Sequence, residues 1–255
     1  MSIFSQSGAR SRQIRLDRIL RKATLACAGS VLLLGAACAQ AATVVTDTAV
    51  SQSTQTQFNV PVTFGQVFKA GDVPHGATLT ASLNGQLVPL QVDAKATNPD
   101  GSLRHAVLTA VLPTLSGSAS SPLALGVGAA TTQGAPIAMS QLFATNYDAT
   151  ASINIGGVTY TASARALLQA ANLSNACAPW GAQCNLWLSG PLTSAWVVHG
   201  SLTASNGSAA PGLQVYFAVR AYAGSSAGSV GDVRTDIIIE NSNAFAAQVQ
   251  PQYTA

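Results

Sequence analysis

Few side chains in this chain could do acid–base chemistry, and most of them stand alone. Beyond a basic leader ending near residue 41, the sequence keeps 9 − 1 = 8 Asp and Glu residues and 3 His. General acid–base catalysis needs such groups placed together on one reacting centre. The tempting acid is Asp100, in Asn98-Pro99-Asp100-Gly101-Ser102, with Arg104 and His105 just after it. That segment is also a tight turn. Pro99 fixes one φ angle, Gly101 accepts a positive φ, and a turn Asp bonds nearby backbone N–H groups. Asp100 is therefore read as a structural anchor, with Pro99 and Gly101. Arg104 and His105 are adjacent strand residues pointing to opposite faces, so they do not converge. Arg104 could grip a carboxylate through two parallel bonds. The plainer expectation pairs it with a neighbouring Asp or a carbonyl.

The other candidates are weaker. His75, in Val73-Pro74-His75-Gly76, reads as a solvated turn residue. His199 follows Val197-Val198 in a strand with no Asp or Ser partner nearby, and reads as packed or hydrogen-bonded. Lys69 reads as a surface lysine. Arg234, Asp236 and Glu240 share one strand face and read as a solvated or cross-strand charge ladder. No His-Glu-x-x-His and no phosphate loop occurs. No cofactor motif and no Asp-rich calcium loop is present either. The predicted catalytic set, metal set and cofactor set are all empty. Of the tryptophans, Trp187 and Trp196 sit among apolar residues and read as core. Trp180 lies between Cys177 and Cys184, reads as exposed, and could stack on an apolar ring face.

The leader alters the charge argument. The chain has 12 Lys+Arg and 9 Asp+Glu, but Arg10, Arg12, Arg15, Arg18, Arg21 and Lys22 all lie in the leader with Asp17. The remainder of the chain has 12 − 6 = 6 bases and 8 acids, a net charge of −2. No basic patch remains, so nucleic acid is not an expected partner. An apolar run over 23–39 precedes Ala39-Gln40-Ala41, a small-x-small cleavage signal. Residues 1–41 are read as a signal peptide and Ala42 as the mature start. An uncleaved anchor is the alternative, although the run is shorter than the ~20 residues of a membrane span. A lipidated start at Cys38 is disfavoured by Gly35. The expectation is export to the periplasm or beyond, with no membrane attachment after cleavage. In that compartment Cys177 and Cys184 are expected to form a disulfide. The metal alternative lacks a second ligand pair.

The body is expected to be all-β with one short helix. Strands are predicted near Phe58–Phe64, Thr78–Leu83, Leu87–Asp93 and His105–Val111, with a two-residue hairpin turn at Asn84-Gly85. Pro89 costs a ladder hydrogen bond and marks an edge or bulge. Residues 116–136 are rich in Ser, Gly and Ala and read as a loop or linker, with a strand able to hide in Pro122–Val127. Gly156-Gly157 is a second hairpin signal. Ser163 is read as the cap of a helix over Arg165–Ala171, with Leu167 and Leu168 inward. Longer strands are predicted over Trp196–Ala204, Leu213–Ala221 and Val233–Glu240. The tail to Ala255 shows no terminal strand pattern and is read as the end of a truncated, longer protein or of a stand-alone remnant.

Two groups of motifs resemble one family. Pro61, Val62, Phe64, Gly65 and Phe68 open the pattern on one strand. Val88, Pro89 and Gln91 continue it, and Pro99, Asp100, Gly101, Ser102 and Arg104 close it. In this order they resemble the N-terminal RIFT-barrel domain of exo-rhamnogalacturonan-lyase-like proteins. Gly190-Pro191-Leu192 with Trp196, Val219 to Gly224, Val233-Arg234 with Asp236, and Glu240-Asn241 are similar to the segment after that barrel. The chain departs from the pattern at Asn98 and His105, where the family usually has aromatics. The resemblance implies a RIFT-type Greek-key barrel over 42–115, followed by a sandwich-like β unit over 137–255. It implies a non-catalytic N-terminal module of a pectin- or rhamnogalacturonan-processing protein. A carbohydrate-active domain downstream and a pectin-like polysaccharide would be its partners. Arg104, toward a uronate, and Trp180, toward a sugar ring, are then the contact candidates. A secreted structural or surface-interaction protein without activity is the second reading, and an independent small lyase the third.

Overall fold

The computed structural model describes residues 14–16, 43–226, 228–241 and 253–254. These residues divide into two units, with the division between Gln133 and Gly134. Among them, no helix is long and apolar enough to cross a membrane.

The first unit is built from β1 Ile14–Leu16, β2 Thr43–Ser51, β3 Gln57–Val67, β4 Leu79–Leu83, β5 Gln86–Val88, β6 Leu90–Thr97, β7 Leu103–Leu115 and β8 Ser120–Val127. One sheet runs β1-β2-β8-β4-β5 and the other β3-β7-β6, antiparallel throughout. β1 falls inside the expected signal peptide. The rest of that segment, with its cleavage site, lies outside the described residues. Asn84 and Gly85 take φ of 51° and 82°. This left-handed pair joins β4 to β5 in the turn that matches strand twist. The strand predicted over Leu87–Asp93 is in fact two. β5 pairs with β4 while β6 pairs with β7, and Pro89 stands between them. Proline has no N–H for either ladder, so the chain changes sheets there. The carbonyl of Pro89 still accepts from Val111 N–H at 3.1 Å.

The Ser/Gly/Ala-rich run also holds a strand. β8 pairs with β2 on one side and β4 on the other. Leu123 and Leu125 alternate inward from β8 into a core with Val60, Leu90, Leu108 and Leu112.

The second unit contains α1 Met139–Phe143, β9 Thr150–Ile155, β10 Val158–Ser163, α2 Ala164–Leu173, β11 Cys177–Ala178, β12 Cys184–Ser189, β13 Thr193–Thr203, β14 Ala209–Ala223, β15 Val230–Asn241 and β16 Tyr253–Thr254. The strand order is β11-β12-β13-β10-β9-β16, and β14 joins β13 to β15. β16 gives the tail a short terminal strand on β9, which its sequence pattern did not show. Ser163 caps α2 as expected, its hydroxyl accepting from Ala166 N–H at 3.0 Å. Leu168 is buried and Leu167 packs against the core. Gly200 makes room for Leu167, since a Cβ there would collide with that side chain.

There are two helices among the described residues rather than one. α1 has no side-chain cap from its N-cap residue Ala138. Instead Gln141 Oε1 accepts from Ala138 N–H at 2.6 Å. Arg165 ends α1 by donating to the carbonyls of Phe143, Thr145 and Tyr147 at 2.6, 2.9 and 3.0 Å. These bonds tie α1 to the first turn of α2. Tyr147 is half-buried, and the lost hydration pushes its phenol up to about 12. Its hydroxyl bonds Thr235 Oγ1 at 2.8 Å.

Candidate functional site

The turn before β7 is closed by its own backbone and side chains. Gly101 N–H donates to Asn98 C=O at 2.9 Å, and Asn98 N–H to Ser102 C=O at 2.8 Å. Gly101 takes φ of 80°, in the region that favours glycine. Asp100 Oδ1 accepts from the Ser102 N–H at 3.0 Å and from its hydroxyl at 2.6 Å. These bonds favour the ionised form and hold the carboxyl below its ordinary range. Ser102 Oγ in turn accepts from Gly71 N–H at 3.0 Å and from Asn98 Nδ2 at 3.1 Å. The loop before β4 is thereby tied to the turn, and Leu103 N–H adds a bond to Val73 C=O at 2.9 Å. The His75 ring lies beside Gly101. Asp100 is an anchor here, already engaged at short range.

Arg104 and His105 diverge as their spacing requires. His105 lies against Gly65, whose missing side chain leaves it space. Arg104 is exposed. The pairing expected for it is not formed: among the described residues its guanidinium has no hydrogen bond or ion pair. β7 offers it no acidic neighbour, and the nearby Asp100 carboxylate is turned onto Ser102.

A different environment surrounds the disulfide, which joins Cys177 to Cys184 as expected, with Cα atoms 4.5 Å apart. Trp180 sits in the loop it closes, with φ of 62° and its side chain 74% exposed. Trp180 N–H donates to Asn185 Oδ1 at 3.1 Å. Its ring meets the Trp187 ring edge-to-face, with centroids 6.2 Å apart and planes at 81°. Trp187 is therefore not the core residue its neighbours suggest. The pairing of β12 with β13 shifts register between Leu186 and Leu188. Leu186 packs against the core and Leu188 is buried, while Trp187 stays half-exposed. Trp196 is core, as expected.

His199 joins the same loop to the sheet. Its Nε2 lies 2.7 Å from Ala182 C=O. Its ring stacks on Tyr216, directly across on β14, at 4.9 Å and 28°. Glu240 lies on β15 two residues beyond Ile238, the register partner of Tyr216, and so on the same sheet face. Lost hydration first, then that carboxylate, raise the phenol above its ordinary value. On the same face Arg234 binds Asp236 along its own strand at 3.1 Å. Tyr216 carries no signal in the sequence, because only register puts it between His199 and Glu240.

Gly224-Ser225-Ser226-Ala227-Gly228 has the Gly-x-Ser-x-Gly spacing of a hydrolase nucleophile elbow. An elbow is a strand-to-helix turn. Here the segment joins the antiparallel strands β14 and β15, and Ser226 C=O accepts from Ser229 N–H at 3.0 Å. The context is a hairpin. A cleft of about 250 Å³ in the same unit is lined by Ile137, Met139, Asn172, Asn175, Leu186 and Trp196 among others. Its lining carries no ionisable group. No three His, Cys, Asp or Glu side chains converge as metal ligands among the described residues.

No curated protein and no solved structure matches this chain. One family model does, across the segment that contains β3 to β7 and the Asp100 turn. Residues 48–120 match the PcRGLX-like N-terminal RIFT barrel domain, the domain type of rhamnogalacturonan-lyase-like proteins.

Proposed function

We propose that this chain is an exported, non-catalytic module of a polysaccharide-processing protein of the pectin or rhamnogalacturonan lyase-like kind. It supports or positions a carbohydrate-active domain. The observation that carries the reading is the match of residues 48–120 to the RIFT barrel domain. The geometry of the turn is in keeping with it. A lyase needs a base held ready for a sugar C–H proton, whereas Asp100 already accepts two bonds from Ser102. The disulfide is compatible with an oxidising compartment. Purified chain incubated with pectin-derived polysaccharides tests the reading. Retarded migration in gels containing the polysaccharide, with no unsaturated uronide formed, is the expected result. Release of unsaturated uronide would make the chain an enzyme. Unaltered migration with every polysaccharide would remove the glycan reading and leave a structural role.

A further inference from the structure

We infer that Trp180 is the stacking platform of a glycan subsite in the second unit, which takes the apolar face of an uncharged sugar ring. The inference rests on the glycan reading above and adds a place and a ligand class to it. Its starting point is a conflict within the loop. Left-handed backbone is costly for a bulky aromatic, and glycine would relieve it. Yet Trp180 occupies φ of 62° and spreads its indole into solvent, where burial gives it little in return. Backbone strain gathers at binding sites when the surroundings over-determine it. Here the surroundings do so. The disulfide closes the loop, and Asn185 holds the Trp180 N–H. Gly181 is pressed so close to the Cys184 carbonyl that no Cβ fits. Trp187 sets the angle of the exposed ring from behind. An indole fixed in this way loses little freedom when a ligand stacks on it.

The ligand class is set by the charges on the sheet face to which the loop is joined. Ala182, two residues on, is bonded to His199, and His199 stacks on Tyr216. This row supplies polar groups suited to sugar hydroxyls. It ends at Glu240, whose negative charge opposes a uronate carboxylate. On that face Arg234 is already bonded to Asp236, and Arg220 is half-buried.

The test uses the whole chain, with β-linked galactan as the neutral probe and polygalacturonate as the charged one. Galactan is expected to bind the wild type, and Trp180→Ala to weaken it about ten-fold or more while Trp180→Phe retains most of it. Trp180→Gly separates a binding role from a structural one. Relief of the left-handed strain should leave its melting temperature at or above wild type while galactan binding is lost. Galactan binding by Trp180→Ala at wild-type strength would overturn the platform and leave the glycan reading intact. Polygalacturonate binding that depends on Trp180 would overturn the ligand class. A lower melting temperature in Trp180→Gly with binding unchanged would make the residue structural. No binding of either probe, or of other pectin polysaccharides, by the wild type would remove the glycan reading itself.

Discussion

The turn at 98–102 and the loop at 177–184 ask the same thing of the backbone and answer it oppositely. Each needs a residue with positive φ. Gly101 meets the demand at 80° with no side chain to strain, whereas Trp180 meets it at 62° with the largest side chain available. In the turn the polar groups point back at one another: Asp100 on Ser102, and Ser102 on Gly71 and Asn98. In the loop the covalent bond and Asn185 do the holding, and the ring is left facing water. A segment whose side chains are spent on its own shape has little left for a ligand. One held from outside, with its aromatic surface unspent, is free to bind.

Breaking the clamp on each side should show the difference. The largest effect is expected at the disulfide. Its cysteines are 7 residues apart, and closing so short a loop is worth about 2.5 kcal/mol in the chain-entropy view. Cys177→Ser with Cys184→Ser should lower unfolding free energy by about that amount in urea. Unchanged stability would mean that the loop holds itself, as the turn does. Ser102→Ala comes next. It removes the acceptor of the Gly71 N–H and of the Asn98 amide in a partly exposed setting and should cost about 1 kcal/mol. A loss near zero would mean that water replaces the hydroxyl and that the turn is less self-contained than its bonds suggest.

Acid should distinguish the two regions further. The folded-state pKa of Asp100 is depressed, so its contribution is present above the unfolded carboxylate value of ~3.9. It is lost as pH falls through the lower folded value. Asp100→Asn should therefore lower the melting temperature at neutral pH, with the gap to wild type closing below that window. The Trp180 loop has no carboxylate in its clamp and should give no such pH-dependent gap for Asn185→Ala. A penalty for Asp100→Asn that persists in strong acid would assign the effect to shape rather than charge.

Much of the turn is legible in the sequence because its φ demands select residue types. Pro99, Asp100 and Gly101 state the turn directly, as Asn84-Gly85 and Gly156-Gly157 state theirs, with left-handed φ at each of those four residues. The cap at Ser163 and the disulfide are legible for similar reasons. The features hidden from the sequence depend on partners far along the chain. β8 is composed of Ser, Pro, Leu, Ala, Gly and Val and becomes a strand because β2 and β4 flank it. Pro89 announces a break, but the change of sheet needs both neighbouring ladders. Trp187 is misplaced when apolar neighbours are taken to mean core, because Leu186 and Leu188 turn inward on either side and leave it half-exposed. The His199–Tyr216–Glu240 row exists only through the register of three strands.

The smallest effect is expected at Arg234 and Asp236, and it bears on where the binding surface ends. Their ion pair is 3.1 Å long, with side chains 64% and 45% exposed. Water screens such a pair and side-chain entropy opposes it, so Arg234→Ala should change stability by less than about 0.5 kcal/mol. Added salt should erase even that. The same substitution also leaves Asp236 uncompensated on the strand face it shares with Glu240, making that face more negative. If the subsite takes uncharged sugars through the Trp180 ring, galactan binding should be indifferent to this change. A clear loss of galactan binding in Arg234→Ala would extend the contact surface along β15. The comparison would then set the turn against a whole sheet face rather than a single clamped loop.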